Sequence, residues 1–120
     1  HVPRGLLARA AAARYQAVIL SDQIAVQSAQ NQAADDLREV FDSATRFGMP
    51  LFLTDYHLEA ARWAITFPKL MHSDPWIQPV GELSAADHVQ QARDLMDQTG
   101  YRWPVSALEH LALVVKAIDK

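Results

Sequence analysis

Four internal histidines are the side chains in this sequence best suited to binding a metal ion or carrying a phosphoryl group. They are His57, His72, His88 and His110, separated by 15, 16 and 22 positions. A zinc site on one helix needs closely spaced ligands, such as the His-Glu-x-x-His motif, and no such spacing occurs. A phosphorelay role is the alternative, but neither His88 nor His110 has a lysine followed by glycine nearby. We therefore predict no metal site.

Asp55 and Glu59 form an acidic pair whose spacing could serve acid–base chemistry, because four positions place them one helical turn apart. Arg62 follows Glu59 by three positions, which favours a surface ion pair instead. The sequence contains no cysteine, no glycine-rich phosphate loop and no Gly-x-Ser-x-Gly motif. It therefore predicts neither an enzyme nor a bound cofactor.

The charge distribution favours a protein partner. The 11 Lys/Arg and 14 Asp/Glu residues give a formal net charge of -3 and are interspersed without a basic stripe. This pattern argues against binding to nucleic acid or to a membrane surface, and the chain lacks an apolar run of about 18 residues. We expect a cytoplasmic protein that binds a protein or peptide. Because the sequence begins at His1 rather than at a methionine, we also expect a fragment of a longer protein.

The composition is typical of an all-α protein, since 50% of the residues are apolar and only four are glycine. The polar segment 27–32 predicts a turn between the first two helices, with Asn31 capping the second. The first helix begins at Pro3, and its predicted inward residues are Leu6, Ala10, Ala13, Ala17, Leu20 and Ile24. The second ends at Gly48, with Ala33, Leu37, Val40, Phe41 and Ala44 inward and Asp35, Asp36, Glu39 and Asp42 mostly outward.

A third helix is predicted from Pro50 to about Phe67. The segment that follows, 68–81, contains three prolines around Trp76 and is predicted to be a long loop.

Two capping signatures predict the remaining helices. Ser84 and Asp87 form a capping box that opens a fourth helix, which ends at Gly100. Ser106 and Glu109 repeat the signature and open a fifth helix. The predicted inward residues of these two helices are Ala85, Val89, Ala92 and Met96, then Leu108, Leu111, Val115 and Ile118.

The two halves of the chain share one pattern of small residues and helix stops. Ala33, Leu37, Val40 and Gly48 match Ala85, Val89, Ala92 and Gly100, each pair 52 positions apart. Small residues at matched positions let paired helices pack closely, and stacked hairpins bury faces that a single hairpin leaves exposed. The repeat predicts hairpins over residues 3–48 and 50–100 and a capping helix over 104–119.

This pattern resembles the tetratricopeptide repeat family. The residues that fall where the family places small or packing side chains are Ala10, Ala33, Leu37 and Val40 in the first repeat and Ala61, Ala85, Val89 and Ala92 in the second. Segments Pro3–Ala10, Gly48–Arg62 and Thr99–Tyr101 are similar to terminal repeats of bacterial signal-transduction NTPases with helical sensor regions. The resemblance implies one domain over residues 1–120, with antiparallel hairpins stacked as a right-handed solenoid. The 52-residue offset exceeds the family unit of about 34 residues, which implies longer connectors.

In tetratricopeptide proteins the first helix of each hairpin lines a concave groove that binds a partner. By position, the resemblance assigns this role to Arg4, Arg14, Tyr15, Asp55, Arg62 and Thr66. Arginine donates a planar set of hydrogen bonds to carboxylates, and tyrosine combines apolar area with a polar tip. The same resemblance places His57 at a large, half-buried position and predicts a structural histidine.

Two functions remain open at this stage. One is a binding module of a larger bacterial signalling or regulatory protein, which recognises a peptide or a partner domain in the groove without chemistry. The other is a structural element that ends a solenoid or forms a dimer and has no ligand of its own. Two repeats and a cap are fewer than the roughly three repeats usually needed for stability. Either the long first hairpin compensates, or the chain forms a homodimer.

The three tryptophans are further candidates for contact with a partner, since Trp is enriched in binding hot spots. Trp63 is predicted to lie in the core. Trp103, which precedes Pro104, is predicted to fix the start of the final helix. Trp76 either anchors the long loop to its hairpin or forms an exposed binding surface.

Overall fold

All regular structure in the described part of the chain is helical. The computed structural model describes residues 3–20, 22–67 and 84–118. Its five helices are α1 (Pro3–Ile19), α2 (Gln23–Arg46), α3 (Pro50–Thr66), α4 (Ala85–Thr99) and α5 (Val105–Ile118). The predicted all-α fold is therefore confirmed.

Helix α3 is the centre of the packing. It contacts each of the other four helices. Helix α1 pairs with α2 and helix α3 pairs with α4, as two antiparallel hairpins, and α5 packs against α3 and α4. The predicted arrangement of helical hairpins is confirmed.

Two apolar cores lie on opposite sides of α3. Tyr56 and Trp63 pack with residues of α1 and α2, whereas Leu58 and Ala61 pack with residues of α4 and α5. Trp63 is fully buried, as the sequence predicts. Four alanines, one in each of the first four helices, are also fully buried, namely Ala10, Ala33, Ala61 and Ala92. Such small side chains allow neighbouring helices to approach closely.

Local signals at the ends of α2 and α4 act as predicted. The Ser84 hydroxyl accepts a hydrogen bond from the Asp87 amide, and the Asp87 carboxylate accepts one from the Ser84 amide, both at 3.1 Å. These two bonds form the predicted capping box. Gly48 and Gly100 have φ angles of 62° and 75°, in the left-handed region that glycine adopts without strain. Both glycines therefore end their helices.

The boundary between α1 and α2 differs from the prediction. Helix α1 ends at Ile19, and Asp22 caps α2 by accepting a hydrogen bond from the Ile24 amide at 3.0 Å. The predicted turn at 27–32 is wrong, because these residues, including Asn31, are helical. The predicted burial of Leu20 and Ile24 is also wrong, since they are 39% and 80% exposed. The apolar spacing continues from α1 into α2, so it does not indicate where α1 ends.

Helix α5 starts within one residue of the predicted 104, but without the predicted cap. The helix begins at Val105, so Ser106 lies inside its first turn and is not its cap. Ile118, predicted to face inward, is 54% exposed, and Trp103 is 89% exposed at the turn before the helix. The exposed Trp103 ring therefore does not hold the start of α5, whereas the Pro104 carbonyl accepts a hydrogen bond from the Leu108 amide at 2.9 Å.

One acidic residue of α2 is buried rather than outward-facing. Asp36 accepts hydrogen bonds from Nε and Nη2 of Arg9 on α1, at 2.8 and 2.5 Å. The Asp36 side chain is 3% exposed, whereas Arg9 reaches it from the surface. This paired contact joins the two helices of the first hairpin. The hydrogen bonds with Asp36, and then its charge, raise the pKa of Arg9.

Among the helices in the described ranges, none combines the length and the apolar character needed to cross a membrane.

Candidate functional site

A groove runs along α3 between α1 and α5. Two adjoining pockets form it, and Arg62 of α3 lines both. The Asp55 pocket has a volume of about 320 Å³ and is lined by Leu7, Ala8, Ala11, Asp55, Leu58, Glu59, Arg62 and Pro104. The Arg14 pocket has a volume of about 460 Å³ and is lined by Arg14, Tyr15, Arg62, Ile65, Thr66, Ser106, Ala107, His110, Leu111 and Val114.

The three helices run in the same direction along this groove. The early residues of α1 and the residue just before α5 line the Asp55 pocket, beside the middle of α3. Later residues of α1 and α5 line the Arg14 pocket, beside the end of α3. This parallel order follows from the two antiparallel hairpins, because α2 and α4 return the chain to the same end each time.

A buried carboxylate holds the arginines of the groove in place. Glu59 Oε2 accepts a hydrogen bond from Arg14 Nε at 2.7 Å, and Glu59 Oε1 accepts one from Arg62 Nη1 at 3.2 Å. The exposed fractions of the side chains are 4% for Glu59, 14% for Arg14 and 33% for Arg62. A carboxylate buried to this extent needs charged partners, and here it has two. The predicted Glu59–Arg62 ion pair forms, but it is not on the surface.

Arg14 has a second contact that fixes its orientation. Its guanidinium lies 4.7 Å from the centre of the Tyr15 ring, within the range of a cation–π interaction. Burial lowers the pKa of Arg14, but the hydrogen bonds and the charge of Glu59 outweigh this effect, so the pKa is raised overall. The contacts with Glu59 therefore favour the charged form of Arg14.

The structure brings together four of the six residues that the resemblance assigned to a groove and places a fifth beside them. Arg14, Tyr15, Arg62 and Thr66 line the Arg14 pocket, and Asp55 lines the Asp55 pocket. The side chain of Arg4 lies outside the described residues, as do Trp76 and the predicted loop around it. Whether these residues bind a partner stays a prediction.

Thr66 and Asp55, like Arg14 and Arg62, have polar contacts within the chain. The Thr66 hydroxyl donates to the Arg62 carbonyl at 2.8 Å, so it is a wall of the pocket rather than a free donor. The Tyr101 hydroxyl lies 3.4 Å from Asp55 Oδ1, which is long for a hydrogen bond of this type. Arg62 directs Nη1 to Glu59 but a guanidinium has five donors, and the Tyr15 ring is 68% exposed, so these two side chains are better placed than Thr66 to contact a ligand.

Sequence reasoning missed the contribution of α5 to the groove. Ser106, Ala107 and His110 line the Arg14 pocket from α5. The helix was predicted only as a cap, although it occupies the place that the first helix of a third hairpin would take. The position of α5 directly after the second hairpin is the feature of the sequence that could have indicated its place in the groove.

A pair of buried histidines lies away from the groove. The Nδ1 atoms of His57 on α3 and His88 on α4 are 3.0 Å apart, and each residue is 3% exposed. Burial lowers the pKa of His57 to about 3, with a smaller contribution from His88, and burial lowers the pKa of His88 to about 4. Both rings are neutral at pH 7, so one donates its Nδ1–H to the other. The burial agrees with the predicted structural role of His57.

The histidine pair does not extend to a metal site in the described ranges. No three His, Asp or Glu side chains there are grouped closely enough to hold an ion. The ring of Tyr56 lies edge-on to both histidines, with centroid distances of 4.9 and 6.1 Å. The pair thus joins α3 to α4 in an aromatic environment.

No family model matches the chain, and comparison with curated proteins and with solved structures also finds no match. The groove itself is therefore the basis for any functional assignment, and the resemblance to tetratricopeptide repeats stays a prediction.

Proposed function

We propose that this chain is an interaction module that binds a peptide or a partner domain in the groove between α1, α3 and α5. In this proposal it serves a larger bacterial signalling or regulatory protein and performs no chemistry itself. The observation that carries the proposal is the lining of the Arg14 pocket, which combines two arginines with an aromatic ring and aliphatic side chains. Protein-binding surfaces combine these residue types, since they give both area and directional hydrogen bonds.

The support beneath the groove also favours binding. Helix α3 forms its floor and is packed into a core on each side. The Glu59 carboxylate fixes Arg14 and Arg62 from below, at 2.7 and 3.2 Å. Side chains held in this way lose little freedom when a ligand binds, which improves affinity.

Apolar side chains on the outside of the fold favour a second candidate, a structural or dimerisation element. Leu113 and Ile118 on α5 are 69% and 54% exposed. Ile19 and Ile24, at the turn of the first hairpin, are 81% and 80% exposed. In this candidate a further repeat or a second copy of the chain covers them, and the groove has no ligand.

A pull-down with a variant of the groove separates the two candidates. Ser106→Trp places a large ring at the mouth of the Arg14 pocket, and Gln91→Trp places the same ring on an exposed position of α4 outside the groove. Both purified variants and the unchanged chain are incubated with soluble extract of the source organism, and captured proteins are identified by mass spectrometry. A partner lost only with Ser106→Trp supports binding in the groove.

Two other outcomes would count against binding in the groove. A partner captured equally by all three forms shows that another surface binds it. If no partner is captured and light scattering shows a dimer that Leu113→Ser disrupts, the structural candidate is preferred. Circular dichroism of each variant verifies that the helices are intact.

A further inference from the structure

The Arg14 pocket carries a local positive charge within an acidic chain. Arg14 and Arg62 line it together, and both contact one carboxylate, Glu59, so the three groups sum to a charge of one positive unit. Among the described residues, no Asp or Glu lines this pocket. At physiological ionic strength charges act over roughly 8 Å, so a bound ligand senses this local charge more than the formal net charge of -3.

Arg62 is the arginine available to a ligand. Its side chain is 33% exposed, compared with 14% for Arg14. Among the described residues it uses Nη1 for Glu59, whereas Arg14 directs both Nε and Nη2 to that carboxylate. A guanidinium has five N–H donors, so Arg62 retains donors for a second carboxylate. Arg14 instead adds its positive charge to the pocket, and its guanidinium lies 4.7 Å from the centre of the Tyr15 ring.

Aliphatic side chains lie directly beside these charges. Ile65 of α3 and Leu111 and Val114 of α5 line the same pocket as the arginines. The Tyr15 ring, 68% exposed, forms the opposite wall on α1. A ligand that fills the pocket therefore needs an apolar side chain next to its negative group, because either feature alone leaves half of the lining without a partner.

We propose that the Arg14 pocket selects acidic peptide segments in which an Asp or Glu carboxylate lies next to an apolar side chain. Arg62 binds the carboxylate, and Tyr15, Ile65 and Leu111 surround the apolar group. This inference rests on the proposed peptide-binding function of the groove and adds the chemical class of its ligand.

The experiment selects ligands without assuming their sequence. Phage-displayed random dodecapeptides are selected on the full 120-residue chain in buffer of physiological ionic strength, with the Ser106→Trp variant used to remove phage that bind elsewhere. We expect enrichment of Asp or Glu adjacent to Leu, Ile, Val, Met or Phe, relative to the unselected library. Selected peptides are then synthesised with a fluorescent label for anisotropy titrations.

Matched variants test the role of the charge. Arg62→Gln is expected to weaken binding of the acidic peptides at least about tenfold, which corresponds to about 1.4 kcal/mol. Arg62→Lys, which retains the charge, is expected to lose less. Arg93→Gln removes the same charge from an exposed site on α4 and is expected to change affinity less than about twofold. Replacing the acidic residues of the peptide by Asn or Gln should weaken binding as much as Arg62→Gln does.

The outcomes distinguish this inference from the function on which it rests. Enriched peptides that are neutral or basic, and that still lose binding with Ser106→Trp, overturn the acidic preference and leave the peptide-binding function standing. Acidic peptides that bind Arg62→Gln as tightly as the unchanged chain also overturn it. A selection that enriches no peptide at all counts against both.

Discussion

The Nδ1 atoms of His57 and His88 lie 3.0 Å apart, although the two residues are 31 positions apart in the sequence. They join the middle of α3 to the first turns of α4, on the side of α3 away from the Arg14 pocket. Both rings are buried, and burial lowers the pKa of each. The contact therefore exists only while both histidines are neutral or share a proton.

This pair makes stability depend on pH. Below about pH 6.5 the unfolded chain binds protons at His57 and His88, but the folded chain does not, because their pKa values are about 3 and about 4. The free energy of unfolding therefore keeps its full value, as far as this pair is concerned, above about pH 6.5. It falls as the pH is lowered toward 4, by about 1.4 kcal/mol per pH unit for each histidine. Urea unfolding at several pH values measures this slope.

Two variants control the pH experiment. Replacing both His57 and His88 by Leu should flatten the slope, whereas Gln91→Ala, at an exposed position of α4 without a titratable group, should leave it unchanged. A slope that persists in the double variant would assign the acid sensitivity to other groups.

Glu59→Gln is expected to destabilise the fold by about 3 kcal/mol, because it leaves the partly buried Arg14 guanidinium without its counter-charge. Arg62→Gln should cost less than about 1 kcal/mol, since Arg62 is a third exposed and Glu59 retains Arg14. As a control, Arg102→Gln removes an exposed arginine whose ion pair with Asp97 is 3.6 Å long, and it should cost almost nothing. Equal losses for Glu59→Gln and Arg102→Gln in urea unfolding would contradict the buried ion-pair network.

Asp22→Ala tests the observed start of α2. The change removes the hydrogen bond to the Ile24 amide and should cost about 1 kcal/mol. Asn31→Ala should leave stability unchanged or raise it slightly, because Asn31 is an exposed position inside the helix, where alanine is the better residue. If thermal unfolding shows the reverse order, the turn lies at 27–32, where the polar segment predicts it.

Gly48→Ala and Gly100→Ala are each expected to cost about 1 kcal/mol, because the left-handed φ angles of 62° and 75° strain any residue with a Cβ atom. Space is not the reason, since nothing lies within 4 Å of a Cβ at either site. Gly5→Ala is the matched control in α1, where a Cβ also has open space and φ is not positive, and it should stabilise by about 0.5 kcal/mol. Thermal unfolding of the three variants measures all of these effects, and a loss for Gly5→Ala would contradict the argument.

The sequence alone determined the helical class and the helices whose ends carry local signals. Ser84 with Asp87 fixed the start of α4, and Gly48 and Gly100 fixed two ends, because capping and left-handed turns depend on residues within a few positions of one another. Asp22 carries the same kind of signal, but the prediction followed the apolar spacing through Leu20 and Ile24 and did not use it. The polar segment with Asn31 as its cap thus misplaced the first turn by several residues.

Tertiary structure alone decided which of these residues meet. Glu59 and Arg14 are 45 positions apart, and their contact depends on two hairpins placing α1 beside α3. The same packing turned a predicted surface pair into a buried network and made α5 a wall of the groove. Periodicity assigns a residue to the buried face of its own helix, but only the packing of the helices determines which residue of another helix lies opposite it.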